Sequence, residues 1–551
     1  KTPAPVAPGA SGALAQAELA ATSPRLLVTF EDRPRRAEAE DRLAAIGHPK
    51  PVVPEAGVWA LTPRDPGTAR SRARSARSVV TAEWSLPRGS DRRVPARAPL
   101  ELEPVTPPTD PLFSADRQWG LFEPGLWGFG LTGQRARPAI AILDSGIDTT
   151  HEEWGGPDSP ITSPRSTVRN NANARDWGRT GHGTHVSGIA AAPANGVGLV
   201  GVAPARVGSA PIIPVQIADR RGRSTDETMM AGIRWAVRRG ARIINISAGG
   251  PGYSQAFQDT VLWAADRGTL IVSSVGNEGD VDNPLNYPAG YNRVLGVGAQ
   301  CDGEITIDCP RPFGVANFSN RNGSVDVIAP GVNVLSSLPR DVRDRVTEPG
   351  YGLKDGTSMA APYVAGVAAL VQASNRNELS VDQLRRHIVN TATDLPPRGR
   401  DVRSGGGVVN PTAAVTLQAP PDDVDEVNDD IKYLTGHRRP TPGKPVVIEA
   451  YIDRTDDVED VYTILARRGE RIRAELRHKR GRLDLYLWKP RTRTVSTDNP
   501  GNVRRNMADF SGTPRRREVV THRAGVTGRH YLNVYARAGR GSYTLRVTIS
   551  R

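Results

Sequence analysis

Cysteine is almost missing from this chain: two residues among 551 cannot build a disulfide scaffold. His and Cys do not cluster at transition-metal spacings either. No apolar run approaches the roughly 18 residues needed to cross a bilayer. Aromatic residues amount to only 5%, and no basic helix interleaves with them, so nothing marks a specific nucleic-acid platform. The Ala/Pro-rich start from Lys1 lacks a signal-type apolar block; a cleaved or omitted leader is compatible with it, but none is visible. What the chain does have is arginine. Of 72 basic residues seven are Lys, so 65 are Arg, and the formal net charge is +13. From Val446 to Arg551 there are 23 basic against 12 acidic residues, so most of the surplus lies in the last fifth of the chain. The plain reading is a solvated, arginine-rich surface; the functional one is attraction to a polyanionic or insoluble surface.

At roughly 150 residues per domain the length allows three or four domains. Residues 1–22 read as a flexible tail. Residues 23–87 hold a strand at Arg25-Leu-Leu-Val-Thr-Phe30, a helical stretch around Glu38–Ile46, an apolar segment ending in Val58-Trp-Ala-Leu61, and Ser78-Val-Val-Thr-Ala-Glu-Trp84, which predicts a small α+β domain. The stretch 88–115, rich in Pro and Arg and without periodicity, is expected to be an exposed, cleavable linker. Over 116–418 apolar runs such as Ala139-Ile-Ala-Ile-Leu143, Ile243-Ile-Asn-Ile246 and Leu270-Ile-Val272 alternate with helical patterns. That predicts an α/β domain, a parallel sheet with helices on both faces. Residues 419–445 form a second linker, with six acids in Pro421–Asp430. From 446 to 551 the pattern becomes alternating, as in Leu483-Asp-Leu-Tyr-Leu487, and predicts a β-sandwich.

Peptide hydrolysis by serine requires an imidazole to activate the hydroxyl, a carboxylate to orient the imidazole, and donors for the oxyanion. Three segments carry such groups. Asp144 follows an apolar strand in Ala141-Ile-Leu-Asp-Ser-Gly-Ile-Asp148, at the strand end where open α/β sheets build sites. His182 lies in Gly181-His-Gly-Thr-His-Val-Ser-Gly188, ahead of a small-residue helix, and Ser358 in Gly356-Thr-Ser-Met-Ala-Ala-Pro362, at the start of an apolar helix. Singly, each has a dull reading as helix cap, structural histidine or turn. Together, in the order Asp, His, Ser known from subtilisin, they do not.

These three blocks resemble the motifs of the subtilisin-family serine endopeptidases. The resemblance implies an acyl-enzyme mechanism with Ser358 as nucleophile, His182 as proton carrier and Asp144 as its orienting acid. It implies that Asn277, in Ser274-Val-Gly-Asn-Glu-Gly279, donates to the oxyanion beside the Ser358 N–H. By the same matching Ser247, Ala248 and Gly249 form the segment that pairs with substrate backbone, and Ser274, Val275, Gly276 and Asn286 line the first specificity pocket. Small residues there suggest a roomy slot; Glu278 and Asp226, taken as exposed acids, leave a preference for basic side chains undecided. Calcium is the cofactor the family often carries, in a structural role only. Glu153, Asn195, Val197 and Leu199 fall where the resemblance puts its ligands, although Pro193 and a Glu in the acidic position depart from the pattern. His185 reads as a buried helix residue. Cys301 and Cys309 could close a small loop as a disulfide, which would fit an oxidising, secreted, extracellular setting.

Residues 23–87 resemble, by position and strand order, the family's inhibitor-like propeptide, and so imply a self-processing zymogen whose own propeptide caps the cleft and is cut within about Pro87–Asp110. The last domain resembles the bacterial prepeptidase C-terminal domain through Asp460-Val-Tyr462, Leu483–Leu487 and Gly541-Ser-Tyr-Thr-Leu545; Asp457, Asp460 and Asp484 there read as a solvated acidic loop rather than a calcium site. The expected function is a secreted endopeptidase of broad specificity acting on protein and peptide substrates. The rivals are an extracellular adhesin-like binding protein with an idle protease domain, which would need a broken triad, and a dedicated processing peptidase, which would need a barrier in its cleft.

Overall fold

A computed structural model describes residues 26–30, 35–56, 58–64, 69, 72–74, 76, 79–84, 87–90, 108–122, 137–155, 159–205, 210–343, 345–397, 399–417, 419, 431, 440, 444–453, 459–478, 481–492, 495, 500–513, 515–538 and 540–550. The N-terminal tail, the acidic stretch Pro421–Asp430 and Asp457 lie outside these residues. The chain divides into two units, 1–419 and 420–551.

The first unit opens with strands β1 (Leu26–Phe30), β2 (Gly47–Val53), β3 (Val58–Pro63) and β4 (Val79–Trp84), which form an antiparallel sheet in the order β2-β3-β1-β4 with helix α1 (Arg36–Leu43) on one face. Alternation sorts β1: Leu26, Val28 and Phe30 meet Ala39, Leu43 and Trp59 on the α1 side. Leu27, with Val58 and Ala60 of β3, joins the core of the larger sheet's helices instead. Burying a Leu or Phe contributes about 1.5–3 kcal/mol. Strand β2 lies within what the sequence shows as one apolar segment; Pro49 and Pro51 hide its periodicity, and tertiary pairing with β3 overrides them. The stretch 88–115 is not a linker at either end. Pro87–Ser90 forms strand β5, and Leu112 and Phe113 pack, with helix α2 (Trp119–Phe122), into the core of the larger domain.

That domain is built on seven parallel strands, β6 (Ile140–Asp144), β7 (Arg165–Ser166), β8 (Ile212–Gln216), β10 (Ile243–Ile246), β12 (Leu270–Ser274), β14 (Val294–Gln300) and β15 (Val327–Pro330), in the order β15-β14-β12-β10-β6-β8-β7. The strands are buried on both faces. Ile140 and Ile142 point to the core shared with α3 (His182–Ala191), α6 (Thr357–Ser374) and α7 (Val381–Thr391). Ala141 and Leu143 point to the core under α4 (Asp226–Arg238) and α5 (Gln255–Ala265). This is the subtilisin-like α/β architecture expected from the motifs. A short helix α8 (Pro411–Thr416) ends the unit. Beside the carboxyl ends of the sheet lie the short strands β9 (Arg223–Thr225), β11 (Ala248–Pro251) and β13 (Asn286–Tyr287); β16 (Val334–Ser337), β17 (Val346–Glu348) and β18 (Tyr351–Lys354) form a further small sheet.

Among the described residues the second unit holds eight strands, β19 (Val446–Asp453), β20 (Glu459–Ala466), β21 (Arg471–His478), β22 (Arg482–Trp488), β23 (Met507–Ser511), β24 (Arg517–Arg523), β25 (Gly528–Ala538) and β26 (Arg540–Ser550), with helix α9 (Pro500–Asn506). They make two antiparallel sheets, β19-β26-β21-β24 and β20-β25-β22-β23. Ile472, Ala474 and Leu476 of one sheet and Leu483, Leu485 and Leu487 of the other share one core. A solvated acidic loop was expected at Asp460 and Asp484, and the structure corrects this. Both are buried; Asp460 accepts from the Tyr543 hydroxyl at 2.5 Å and Asp484 from Arg537 at 2.8 Å.

Candidate active site

Asp144 ends β6, buried, and its Oδ1 accepts from the Ser145 N–H at 2.7 Å and lies 2.8 Å from His182 Nδ1. His182 is the first residue of α3. The turn before it needs Gly181, at φ 62°, where a Cβ would meet Pro339 Cδ at 2.3 Å. The first turn of α3 is tied to the end of β6 by a residue that sequence reasoning missed, Asp176. Its Oδ1 accepts from the Ser145 hydroxyl at 2.9 Å and its Oδ2 from the Thr184 N–H and hydroxyl at 3.0 and 2.8 Å. The Ser145 hydroxyl in turn accepts from the Gly183 N–H at 2.9 Å. Burial pushes the Asp176 carboxyl above its ordinary range, against these bonds. Only its place six residues before His182 marked it. His185 is buried in the same helix, its Nε2 held at 3.0 Å by the Gly352 carbonyl, and burial pushes its pKa well down.

Ser358 is the second residue of α6, where helix N–H groups converge. Its Oγ donates to the Ser247 carbonyl at 3.2 Å. Pro362 lies inside α6 and has no N–H to offer the Ser358 carbonyl four residues back. The Ser247 hydroxyl fills that vacancy at 2.9 Å, and Asn245 Nδ2 donates to the same hydroxyl at 3.0 Å. The proline therefore lets the helix N-terminus be bolted to the strand segment beside it. Asn277 is fixed from its oxygen end: Oδ1 accepts from the Thr357 N–H at 2.9 Å and the Thr357 hydroxyl at 3.0 Å. That turns its amide nitrogen towards Gly356. A Cβ at Gly356 would lie 3.1 Å from Asn277 Nδ2 and 3.6 Å from the Ser358 nitrogen. The space this glycine leaves empty is therefore faced by two N–H donors, the arrangement a developing oxyanion requires.

The cleft beside these groups is lined by strands. β5 is inserted between β9 and β11, antiparallel to both: Pro87, Arg88 and Gly89 pair with Thr225, Ser224 and Arg223, and Gly89 and Ser90 with Gly249 and Ala248. Ser247, Ala248 and Gly249 thus border the groove in which the chain's own segment lies. Ser274, Val275 and Asn286 are buried. Gly276, at φ 107°, could not carry a side chain, since its Cβ would meet Asn286 Nδ2 at 2.1 Å. Glu278 is not a free exposed acid: it accepts from Asn286 Nδ2 at 3.0 Å and Asn320 Nδ2 at 3.3 Å. Nor is Asp226, which is 0% exposed at the start of α4.

Of the expected calcium positions, Glu153 is buried and accepts from the Leu199 N–H at 2.8 Å, while Asn195 Oδ1 is taken by the Val197 N–H at 3.0 Å. Asp110, which sequence reasoning assigned to a linker, supports the same loop by accepting from the Asn195 and Gly196 N–H groups at 3.0 and 3.1 Å. Burial first, and then the neighbouring Asp110 charge, raise the Glu153 carboxyl to about 8. Glu153 Oε2 and Asp110 Oδ2 are buried without a hydrogen-bond partner among the described residues. Carboxyl oxygens left in this way are the ligand type a hard cation takes, whereas Asn195 is already engaged. Among the described residues no group of three or more His, Cys, Asp or Glu gathers to hold a metal. Cys301 and Cys309 form a buried disulfide.

Residues 136–407 match the peptidase S8 family, the subtilases. The chain is 36% identical over 299 residues to subtilisin BL of Lederbergia lenta, covering 54% of this chain and 97% of that one. It is 35% identical over 293 residues to subtilisin E of Bacillus subtilis (strain 168), covering 53% and 68% respectively. Its fold is similar to that of fervidolysin from Fervidobacterium pennivorans, a keratinolytic enzyme related to subtilisin, with a TM-score of 0.61 over 91% of this chain and 85% of that one at 21% identity. A parallel sheet with an Asp–His pair at a strand end and a serine at the start of a helix carries the groups that a serine hydrolase uses. The chain belongs to the subtilase family, and it is a subtilisin-like serine peptidase.

Proposed function

We propose that the chain is a secreted endopeptidase of broad specificity, made as a zymogen that cuts itself. In this reading Ser358 attacks the scissile carbonyl, His182 takes its proton and returns it to the leaving amine, and Asp144 holds the imidazole in the right tautomer. Asn277 and the Ser358 N–H receive the oxyanion in the space left by Gly356. That space, faced by two donors and adjacent to the serine, is the observation that carries the proposal. Breadth is supported by the groove, where recognition by β9 and β11 reads main chain. The disulfide fits an oxidising, extracellular setting; no helix among the described residues is long and apolar enough to cross a membrane. If calcium binds, Glu153 and Asp110 would hold it, as a brace for the loop 195–199. The basic surplus of the last domain supports contact with a polyanionic or insoluble surface.

The zymogen reading is supported by β5, which occupies the groove as a substrate would. The Ser358 hydroxyl sits at the Ser247 carbonyl, so the residue opposite Ser247 supplies the attacked carbonyl. Continuing the register by one residue past the Ser90–Ala248 pair points to the bond after residue 91, inside the stretch 87–110. Expression of the native chain and of Ser358→Ala tests this: the native protein should acquire a new N-terminus in that stretch, and the variant should keep its full N-terminal mass. Equal N-termini in the two would refute self-processing.

A further inference from the structure

Asp355 takes no part in the chemistry derived above, yet it immediately precedes Gly356, the glycine whose missing side chain leaves the oxyanion space. Its side chain is 3% exposed. Oδ1 accepts from the Asn333 N–H at 2.6 Å, and Oδ2 from Arg345 Nη1. Arg345 Nη2 also donates to Asn333 Oδ1 at 2.8 Å, and Asn333 Nδ2 to Asp302 Oδ2 at 2.7 Å. Four stretches of chain, far apart in sequence, thus meet in one polar network at the residue that leads into the oxyanion loop.

The plain explanation is an ion pair that staples the small sheet of β16, β17 and β18. Two features exceed it. Asn333 and Arg345 both hold φ at 51°, in the left-handed region. Non-glycine backbone of that kind persists only where the surroundings impose it, and it clusters where local geometry matters. For a buried pair the cost of taking two charges out of water offsets most of their attraction, so stability alone is a weak reason to place one on such backbone. The second feature is the loop itself. Gly356, at φ 144°, has no side chain by which to be held, so its orientation depends on its neighbours. On one side the Thr357 N–H and hydroxyl are bound to Asn277 Oδ1. On the other, Asp355 is bound to Asn333, and the Gly356 N–H donates at 2.8 Å to the carbonyl of Gly331, two residues before Asn333. One short segment, 331–333, therefore grips both residues that enter the loop.

We infer that Asp355 is a positioning residue: held by Asn333 and Arg345, it fixes the backbone at Gly356 so that Asn277 Nδ2 and the Ser358 N–H stay aimed into one oxyanion space. It acts through the loop, not on the substrate. A misplacement of about 1 Å costs about 10²-fold in rate. Ground-state binding does not use the space, so the loss belongs to kcat and not to KM. The inference rests on the proteolytic reading and adds a support to its oxyanion site.

The test uses Asp355→Ala, Asp355→Asn and Arg345→Met in the full chain, processed in trans by affinity-tagged native enzyme that is then removed. A serine-directed label, run to completion, counts the competent sites, so kcat is expressed per site. Asp355→Ala should lower kcat about 10- to 100-fold with KM nearly unchanged. It should weaken binding of a peptide aldehyde, whose hemiacetal oxygen enters the oxyanion space, by the same factor. The matching peptide alcohol, which forms no such adduct, should bind as it does to the native enzyme. Asp355→Asn keeps an oxygen for the Asn333 N–H and should lose less than Asp355→Ala. A merely structural pair would lower the urea midpoint and the number of labelled sites while leaving kcat per site and the aldehyde-to-alcohol ratio as in the native enzyme. That result overturns the inference, as does equal weakening of aldehyde and alcohol. Should Asp355→Ala fail to fold, the same ratio in Arg345→Met decides. A native protein that cleaves no peptide and takes no label would sink the proteolytic reading itself, whereas an active native enzyme with unchanged variants sinks this inference alone.

Discussion

At Gly356 the backbone holds φ 144°, and the missing side chain leaves room between Asn277 Nδ2 and the Ser358 nitrogen. Gly356→Ala puts a methyl group into the oxyanion space and strains a backbone that L residues rarely adopt, so kcat is expected to fall about 10²-fold or more, measured on a small ester and a peptide. Asn277→Ala removes one donor, and about 10²–10³ in kcat is the loss known for one donor of subtilisin's hole. The two variants should not be additive, because they disable the same space. Asn277 could be picked out in the sequence because Ser274–Gly279 matches a motif. The anchoring of its oxygen by Thr357 could not, since it depends on a contact across 80 positions. Burial of Asp226 was equally hidden: an acid beside Glu227 in a helix's first turn reads as solvated until the groove is built around it.

At the scale of elements, the first turn of α3 is held by a single carboxylate. Asp176→Ala would strand the Ser145 and Thr184 hydroxyls and two backbone donors, Thr184 and Gly178, costing about 3 kcal/mol or more. Urea unfolding of this variant in a Ser358→Ala background, where self-digestion is absent, measures it; a loss under 1 kcal/mol would show that the clamp is dispensable. The strands of the parallel sheet were readable because both faces are buried and the runs are therefore continuously apolar. β5 was not: Pro87-Arg-Gly-Ser has no strand propensity, and it is extended because β9 and β11 pair with both its edges. Leu112 and Phe113 were missed for a related reason. Two apolar residues in a Pro-rich stretch show no period, and only the core they enter reveals them.

At the scale of the whole molecule, the chain joins a peptidase unit to an all-β unit whose alternating sequence announced it. What alternation did not reveal was polar burial within the sandwich. His530 is 0% exposed, with Nδ1 3.3 Å from the Gly528 carbonyl, and burial lowers its pKa to about 4. His522, 5.6 Å away between ring centroids, is lowered as well by its own burial, with Lys489 opposing protonation and Asp509 favouring it. The unfolded chain binds these protons near pH 6.5 and the folded one does not, so their contribution is complete above about pH 6.5 and is lost as the pH falls towards 4. Pulse-labelling mass spectrometry of β25 peptides along a urea gradient should show a lower midpoint at pH 4.5 than at pH 7, and His530→Phe should shrink the difference. The surface charge of this unit is partly neutralised locally: Arg517 first, then Arg477, hold the Glu475 carboxyl down at about 2.

The central claim is that Ser358 is a nucleophile activated by His182. A serine-directed fluorophosphonate, added to the processed protein and located by peptide mass, tests it most directly. The expected result is stoichiometric labelling of Ser358 alone, abolished by His182→Ala. Processed protein that stays unlabelled, or labelling at another serine that survives His182→Ala, would contradict the account.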